Sequence, residues 1–430
     1  MKPKKICIIA VYFPPLNSTG ARRPEALVKY LANQGHRVAV LTTRKRKVVV
    51  SDEVDNGVTV IESSFCRTTF FNKISSSEFD NASGNFLVSI LINFKRQVIN
   101  RTVGQLLDPR IPFVCQIVFK LLLFKISGGR LFNWVSKIAE SEVVITTSPP
   151  WITHFLGVII KKIFKIKLII DYRDQFSANH MFSGWFTNLE LILDNFFCKN
   201  SDIVTVISEP MRQYYFNIKQ SSVLTIMNGY DPELFPLIKD TTNVVKDLKS
   251  GKRIVRYFGT ITSDRLMEPL WEAILKSKLQ DKYIFQFFGE CGLLKLYLKN
   301  AGIIGQIDIN FVPRVGYKEA ISLMLTADAL LFSETSETAH ASQRGVLTSK
   351  LFEYIATCRP IIGIIDKSTV AGQIIDRSNL SVVLSNDTTE IGIMLHEFCN
   401  CTQTVGDFEF IRSFSRIAQF EILNNQINAL

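Results

Sequence analysis

The stretch KICIIAVYFPPLNSTGARRPEALVKYLANQGHRVAVLT, residues 5–42, reads as a strand, a helix and a second strand. Ile6 to Tyr12 is one continuous apolar run, as a buried parallel strand requires. A polar loop from Asn17 to Arg23 follows, with Pro24 expected in the first turn of a helix. Leu27, Val28 and Leu31 recur at helical spacing, and Gly35 supplies the stop. Arg37 to Thr42 is the next strand. A strand, a crossover helix and a second strand place this start in the α/β class.

Working outward, the alternation continues. Strands are expected at 143–147, 167–171 and 203–207, while 44–85 reads as polar and irregular. Residues 86–139 read as helical, basic and apolar together. The pattern restarts near residue 252, with strands at 253–258, 283–288, 307–311, 329–332 and 360–365. Two such series predict two doubly wound α/β domains, 1–235 and 252–410, with a polar linker at 237–251. The terminal segment, about 411–430, reads as a helix packing back on the first domain through Phe414, Ile417, Phe420 and Ile422.

Composition fits this picture. The 430 residues are 47% hydrophobic and 21% charged, which is globular and excludes a disordered chain. Of the 50 Lys and Arg and 39 Asp and Glu, residues 1–180 hold 26 and 12, an excess of +14 against −3 in the rest. A basic half suits an anionic membrane surface or an acidic substrate. Nucleic acid fits less well, because aromatic residues do not interleave with the basic ones. The eight cysteines contain no CxxC pair, and free thiols in a reducing compartment are the simplest account. Lys2, Lys4 and Lys5 before ICIIAVYF resemble a signal peptide, but Pro14-Pro15 ends the run without a small-residue cleavage site. No apolar run reaches the ~18 residues that span a bilayer, so no transmembrane helix is expected.

Three features fall where open α/β sheets bind ligands, at the carboxyl ends of strands. The first is the loop NSTGARR, where Gly20 allows close backbone approach. The second is Asp171-Tyr172-Arg173-Asp174, with two carboxylates and an Arg at a strand end that need solvent or partners. The third is GVLTSKLFEYIATCRPIIGI, residues 345–364. Thr348 or Ser349 can cap a helix whose N–H groups bind phosphate oxygens, and Lys350 adds a point charge. Glu353 lies one turn on, placed for ribose hydroxyls.

The segment GVLTSKLFEYIATCRPII resembles the donor-binding signature of the retaining glycosyltransferases of the family-four type. Their fold is GT-B, two Rossmann-like domains facing across a cleft. The resemblance extends over nearly the whole chain. YFPPLNSTGARRPEALVKYLANQGHRVAVLT is similar to their opening unit, VVITTSPPWITHFLG and LIIDYRDQF to the middle of their acceptor domain. SDIVTVISEPM, MNGYDPELF and VPRVGYKEAISLMLTADALLF are similar to the stretches leading to the signature. It implies that Glu353 holds the donor ribose, that Thr348, Ser349 and Lys350 face the diphosphate, and that Gly20 and Gly259 lie near the donor. Arg173 and Asp174 fall where many relatives have a His-Asp pair near the reacting carbon. Gly345 replaces the usual sugar-contacting Glu, which Glu334, Glu337, Gln343 or Arg344 could replace in function. Thr260 stands for the usual Arg, and Arg265 for the usual Lys.

The implied activity is sugar transfer from a UDP- or GDP-type nucleotide sugar to a saccharide or lipid-linked acceptor, in cell-surface polysaccharide biosynthesis. No cofactor and no metal are expected; no DxD motif occurs. Residues 86–137, with their Lys and Arg among apolar runs, imply a cytoplasmic protein lying on an anionic membrane. The alternatives are a sugar-nucleotide epimerase of the same fold and a non-catalytic degenerate transferase.

Overall fold

A computed structural model of the chain describes residues 2–14, 19–44, 49–54, 57–64, 111–177, 187–235, 251–334, 345, 347–400 and 404–430. Glu337, Gln343 and Arg344 lie outside the described residues, as do the whole of the expected helical region before Ile111 and the expected linker up to residue 250. The chain divides into two units, Met1–Ile226 with Phe420–Leu430, and Met227–Gln419.

The first unit is built on an eight-stranded sheet. Its strands are β1 (Lys5–Ile9), β2 (Arg37–Arg44), β3 (Val49–Val54), β4 (Val58–Ser64), β5 (Val143–Ser148), β6 (Lys167–Tyr172), β7 (Ile203–Val206) and β8 (Val223–Thr225). The order is β3-β4-β2-β1-β5-β6-β7-β8, all parallel except for β3 against β4. The chain runs outward from β1 on one side and from β5 on the other, so their carboxyl ends form a switch point. Ile6, Ile8, Val38, Val40, Val143 and Ile145 pack with Leu27, Val28 and Leu31 of the helix Thr19–Asn33 in the core.

The second unit has a six-stranded parallel sheet: β9 (Arg253–Phe258), β10 (Tyr283–Phe288), β11 (Asp308–Val312), β12 (Ala329–Ser333), β13 (Ile361–Ile364) and β14 (Ser381–Leu384). The order β11-β10-β9-β12-β13-β14 puts its switch point between β9 and β12. Trp271, Phe285, Phe287 and Leu294 anchor one core layer there.

Four expectations change. Residues 44–85 include β3 and β4, of which β3, with Ser51, Asp52 and Glu53 in its sequence, is the edge strand of the sheet. The first helix begins at Thr19, which puts Pro24 inside it rather than in its first turn. The boundary between units falls after Ile226, because Tyr230 exchanges backbone hydrogen bonds with Phe414 (3.1 Å) and Arg416 (2.8 Å) and so belongs to the second unit. Phe414 packs on Phe352 in that same unit, and only the end of the helix Arg416–Ala429 joins the first. Phe420, Leu423 and Ile427 are its buried face, whereas Ile417 and Ile422 are exposed.

Candidate functional site

In the first unit, β6 carries the Asp171 carboxylate into the sheet's interior. Thr147 on β5 and Thr205 on β7 stand beside it in register and donate to it at 3.0 and 2.8 Å. Arg23, from the first helix, pairs with it at 3.0 Å and also donates to the Ile226 carbonyl. Burial raises the Asp171 pKa, but the Arg23 charge and the hydrogen bonds from Arg23 and Thr205 outweigh it and hold it below the ordinary range. Asp171 is therefore a structural partner of Arg23, Thr147 and Thr205.

Arg173, two residues on, is buried and spends three donors on backbone. Its Nε donates to the Ser148 carbonyl at 3.0 Å, Nη2 to Pro149 at 2.9 Å and Nη1 to Gly20 at 2.6 Å. It ties the end of β5 to the start of the first helix across the switch point. A Cβ at position 20 would meet Arg173 Nη1 at 3.1 Å and Tyr12 at 3.5 Å, so the glycine makes room for this contact. Asp174 is exposed beside it. Behind them Asp194 accepts from Tyr172 at 2.6 Å, Tyr215 at 3.2 Å and both the N–H and hydroxyl of Ser177. Sequence reasoning missed this buried cluster, because Asp194 sits inside an unremarkable helical stretch.

In the second unit the helix Ser349–Ala356 starts close to the ends of β9 and β12. The first N–H groups of a helix have no partner within it, and the side chain of the cap residue Thr348 does not bond them. Thr348 holds the cap position, but its hydroxyl donates instead to Glu334 Oε1 at 2.6 Å. Thr348 is thus the cap residue, as expected, but its side chain is turned to donate to the carboxylate at the end of β12 and accepts no N–H of the helix. Glu334 Oε2 also accepts from Arg265 Nη2 at 3.0 Å. Arg265 Nε is buried without a hydrogen-bond partner among the described residues.

Lys350 Nζ donates to the Tyr257 hydroxyl at 3.0 Å and lies over the Tyr257 ring, 4.1 Å from its centroid. One turn on, Glu353 is buried and accepts from the Tyr317 hydroxyl at 2.9 Å. Gly259 follows β9 with φ +126°, and Gly289 follows β10 beside it. A Cβ on Gly289 would strike the Gly259 carbonyl at 2.5 Å, so both strand ends are pared to backbone. Gly345 is buried with no side chain to offer. The structure thus gathers Arg265, Glu334, Thr348, Ser349, Lys350 and Glu353 at one end of the second sheet and adds Tyr257 and Tyr317.

The same architecture occurs in known proteins. HepE of Anabaena, solved in complex with UDP and glucose, covers 99% of this chain over 100% of its own, with 12% identity and a TM-score of 0.61. An α,α-trehalose-phosphate synthase (UDP-forming) from Burkholderia vietnamiensis matches 99% of this chain over 100% of its own at 8% identity and a TM-score of 0.61. This chain has the GT-B fold. The lipopolysaccharide outer core galactosyltransferase WaaB matches 99% of both chains at 12% identity and a TM-score of 0.57. No family model matches the sequence, and no curated protein matches it. In GT-B terms the two switch points described above are the carboxyl ends of the two Rossmann-like sheets. Among the described residues no helix is long and apolar enough to cross a membrane.

Proposed function

We propose that this GT-B chain is a glycosyltransferase using a nucleoside-diphosphate sugar, of UDP or GDP type, as donor. The observation that carries the reading is the start of the helix Ser349–Ala356, whose cap residue Thr348 does not bond its N–H groups, flanked by Lys350 and Arg265, with the Glu353 carboxylate one turn away. Helix-start N–H groups and two cations match a diphosphate. A buried carboxylate beside them matches ribose hydroxyls. As the glycosidic bond breaks, negative charge grows on the leaving diphosphate. Fixed N–H groups, Lys350 and Arg265 stabilise that charge where it develops. HepE binds UDP according to its solved complexes, which supports the same class of donor here.

The finer reading is transfer with retention of a hexosyl or N-acetylhexosaminyl group to a saccharide or lipid-linked acceptor. We place the protein in the cytoplasm, peripheral on an anionic membrane, in cell-surface polysaccharide synthesis. Asp174 is the candidate catalytic residue of the first unit. Arg173 is a positioning residue, because its donors go to backbone carbonyls.

Calorimetric titration with UDP and GDP tests the donor site, and a panel of nucleotide sugars tests turnover. Nucleotide affinity with release of nucleoside diphosphate supports the transferase. Interconversion of the sugar without release identifies an epimerase, and binding without turnover identifies a degenerate transferase. Absence of nucleotide binding ends the reading.

A further inference from the structure

The helix Ile111–Ile126 has two apolar faces. Val114, Ile117 and Leu121 are buried in the first unit. Cys115, Phe119, Leu122 and Ile126 recur at three- and four-residue steps on another face, and all are exposed. Phe119 is 61% exposed, Leu122 43% and Ile126 81%, which is far from how a core helix presents such residues. After the turn at Gly128 and Gly129, Leu131 and Phe132 are also exposed. Lys120 Nζ lies 6.0 Å from the Phe132 ring and 5.9 Å from that of Trp134, which sets this returning segment beside the helix. The exposed apolar residues thus lie on one face of the helix and on the returning segment beside Lys120.

The charge around the patch selects its occupant. From Ile111 to Ala139 the chain has Lys120, Lys125, Arg130 and Lys137 and no acidic residue. On the helix wheel Lys120 and Lys125 fall on either side of the exposed stripe. A second copy of the chain laid on this face would bring like charges together with no acidic partner from the segment. An anionic lipid surface supplies both needs: acyl chains for Phe119, Leu122 and Ile126, and headgroup charge for the cations.

We infer that the exposed stripe Phe119, Leu122 and Ile126, continued by Leu131 and Phe132, is the face by which this protein seats on an anionic bilayer. The inference rests on the membrane part of the reading above and is independent of its donor site. It places the inserting residues outside every group assigned to sugar transfer.

The test is sedimentation with vesicles of phosphatidylglycerol or of phosphatidylcholine, using the full chain and the triple variant Phe119→Ser, Leu122→Ser, Ile126→Ser. All three positions are exposed, so the variant keeps its fold, checked by thermal melting and by UDP titration. The expected result is binding to phosphatidylglycerol vesicles at low salt, weaker binding to phosphatidylcholine, and a loss of at least tenfold in the variant. A folded variant that sediments like the parent overturns the assigned face while leaving membrane binding in place. A parent chain that binds UDP but ignores phosphatidylglycerol overturns the membrane face and leaves the donor site standing. Concentration-dependent dimers that the variant abolishes, without vesicle binding, make a second copy the occupant and overturn the inference.

Discussion

The carbonyl of Gly20 accepts a hydrogen bond from Arg173 Nη1 at 2.6 Å, inside the first turns of a helix where that carbonyl would ordinarily bond residue 24. Residue 24 is Pro24, which has no N–H. The proline thus opens the acceptor that the arginine fills. A helix start and a strand end are joined at the switch point by a charged donor on a bare carbonyl.

Arg173→Met removes that donor while keeping the bulk of the stem. The Ser148 carbonyl keeps the Arg173 backbone N–H at 3.1 Å, but Gly20 and Pro149 lose their side-chain donor. Gly20 is half-buried and Pro149 exposed, so water replaces part of each lost bond, and a loss on the order of 1–3 kcal/mol is expected in urea unfolding. UDP affinity should stay as in the parent, because the donor residues belong to the other unit. Unchanged stability would show that Arg173 does not clamp these loops.

Buried groups of the first unit set its acid sensitivity. His154 is fully buried, bonds Thr146 at 2.8 Å through Nδ1, and has its pKa pushed down to about 3 by burial. The unfolded chain takes up this proton near pH 6.5 and the folded chain does not. Stability is therefore lost as pH falls from about 6.5 toward 3, by about 1.4 kcal/mol per pH unit from this group. His154→Asn should flatten the fall between pH 6.5 and 5 by about 2 kcal/mol relative to the parent. Asp171 acts lower: its folded pKa is depressed, so its contribution holds above about pH 4 and is lost as pH drops through the folded value. Parallel acid limbs for parent and His154→Asn would rule out the histidine.

Glu353 and Tyr317 form a pair at the proposed ribose site, with the tyrosine hydroxyl donating at 2.9 Å. Glu353→Ala removes charge-assisted hydrogen bonds of about 1.5–3 kcal/mol each and should weaken UDP binding tenfold or more. Uridine should weaken in parallel, since the ribose is common to both. Alanine is a good helix former, so the helix itself should persist. Tyr317→Phe frees the carboxylate from one fixed donor and should cost less, about 0.5–1.5 kcal/mol. Calorimetry on the two ligands decides it: full UDP affinity in Glu353→Ala would take this residue out of the site.

The strands that carry both sites were legible because each is a short apolar run ended by a polar or glycine residue; 253–258 and 283–288 match β9 and β10 residue for residue. β3 was not legible, because VVSDEV carries its polar residues at a sheet edge where no apolar pattern is required. Spacing put Lys350 and Glu353 on one helix face, but by itself it fits a surface ion pair equally, and their partners Tyr257 and Tyr317 come from other elements. The turn of the Thr348 side chain toward Glu334 was not legible, because its acceptor comes from the end of a different strand. Arg173 could be read as a charged residue at a strand end, but its three carbonyl partners come from the end of β5 and the start of the first helix, far away in sequence.

Lys350 separates phosphate from nucleoside recognition. Its ammonium is steered by the Tyr257 ring and hydroxyl to the start of the helix, where a diphosphate would sit. Lys350→Met keeps most of the apolar stem and removes only the charge. UDP binding should fall about tenfold, which is about 1.4 kcal/mol, while uridine binds as before. Raising the salt concentration should weaken UDP binding to the parent more than to the variant, since one of the attracting charges is gone. Equal weakening of UDP and uridine would mean that Lys350 supports the fold of the site rather than the diphosphate.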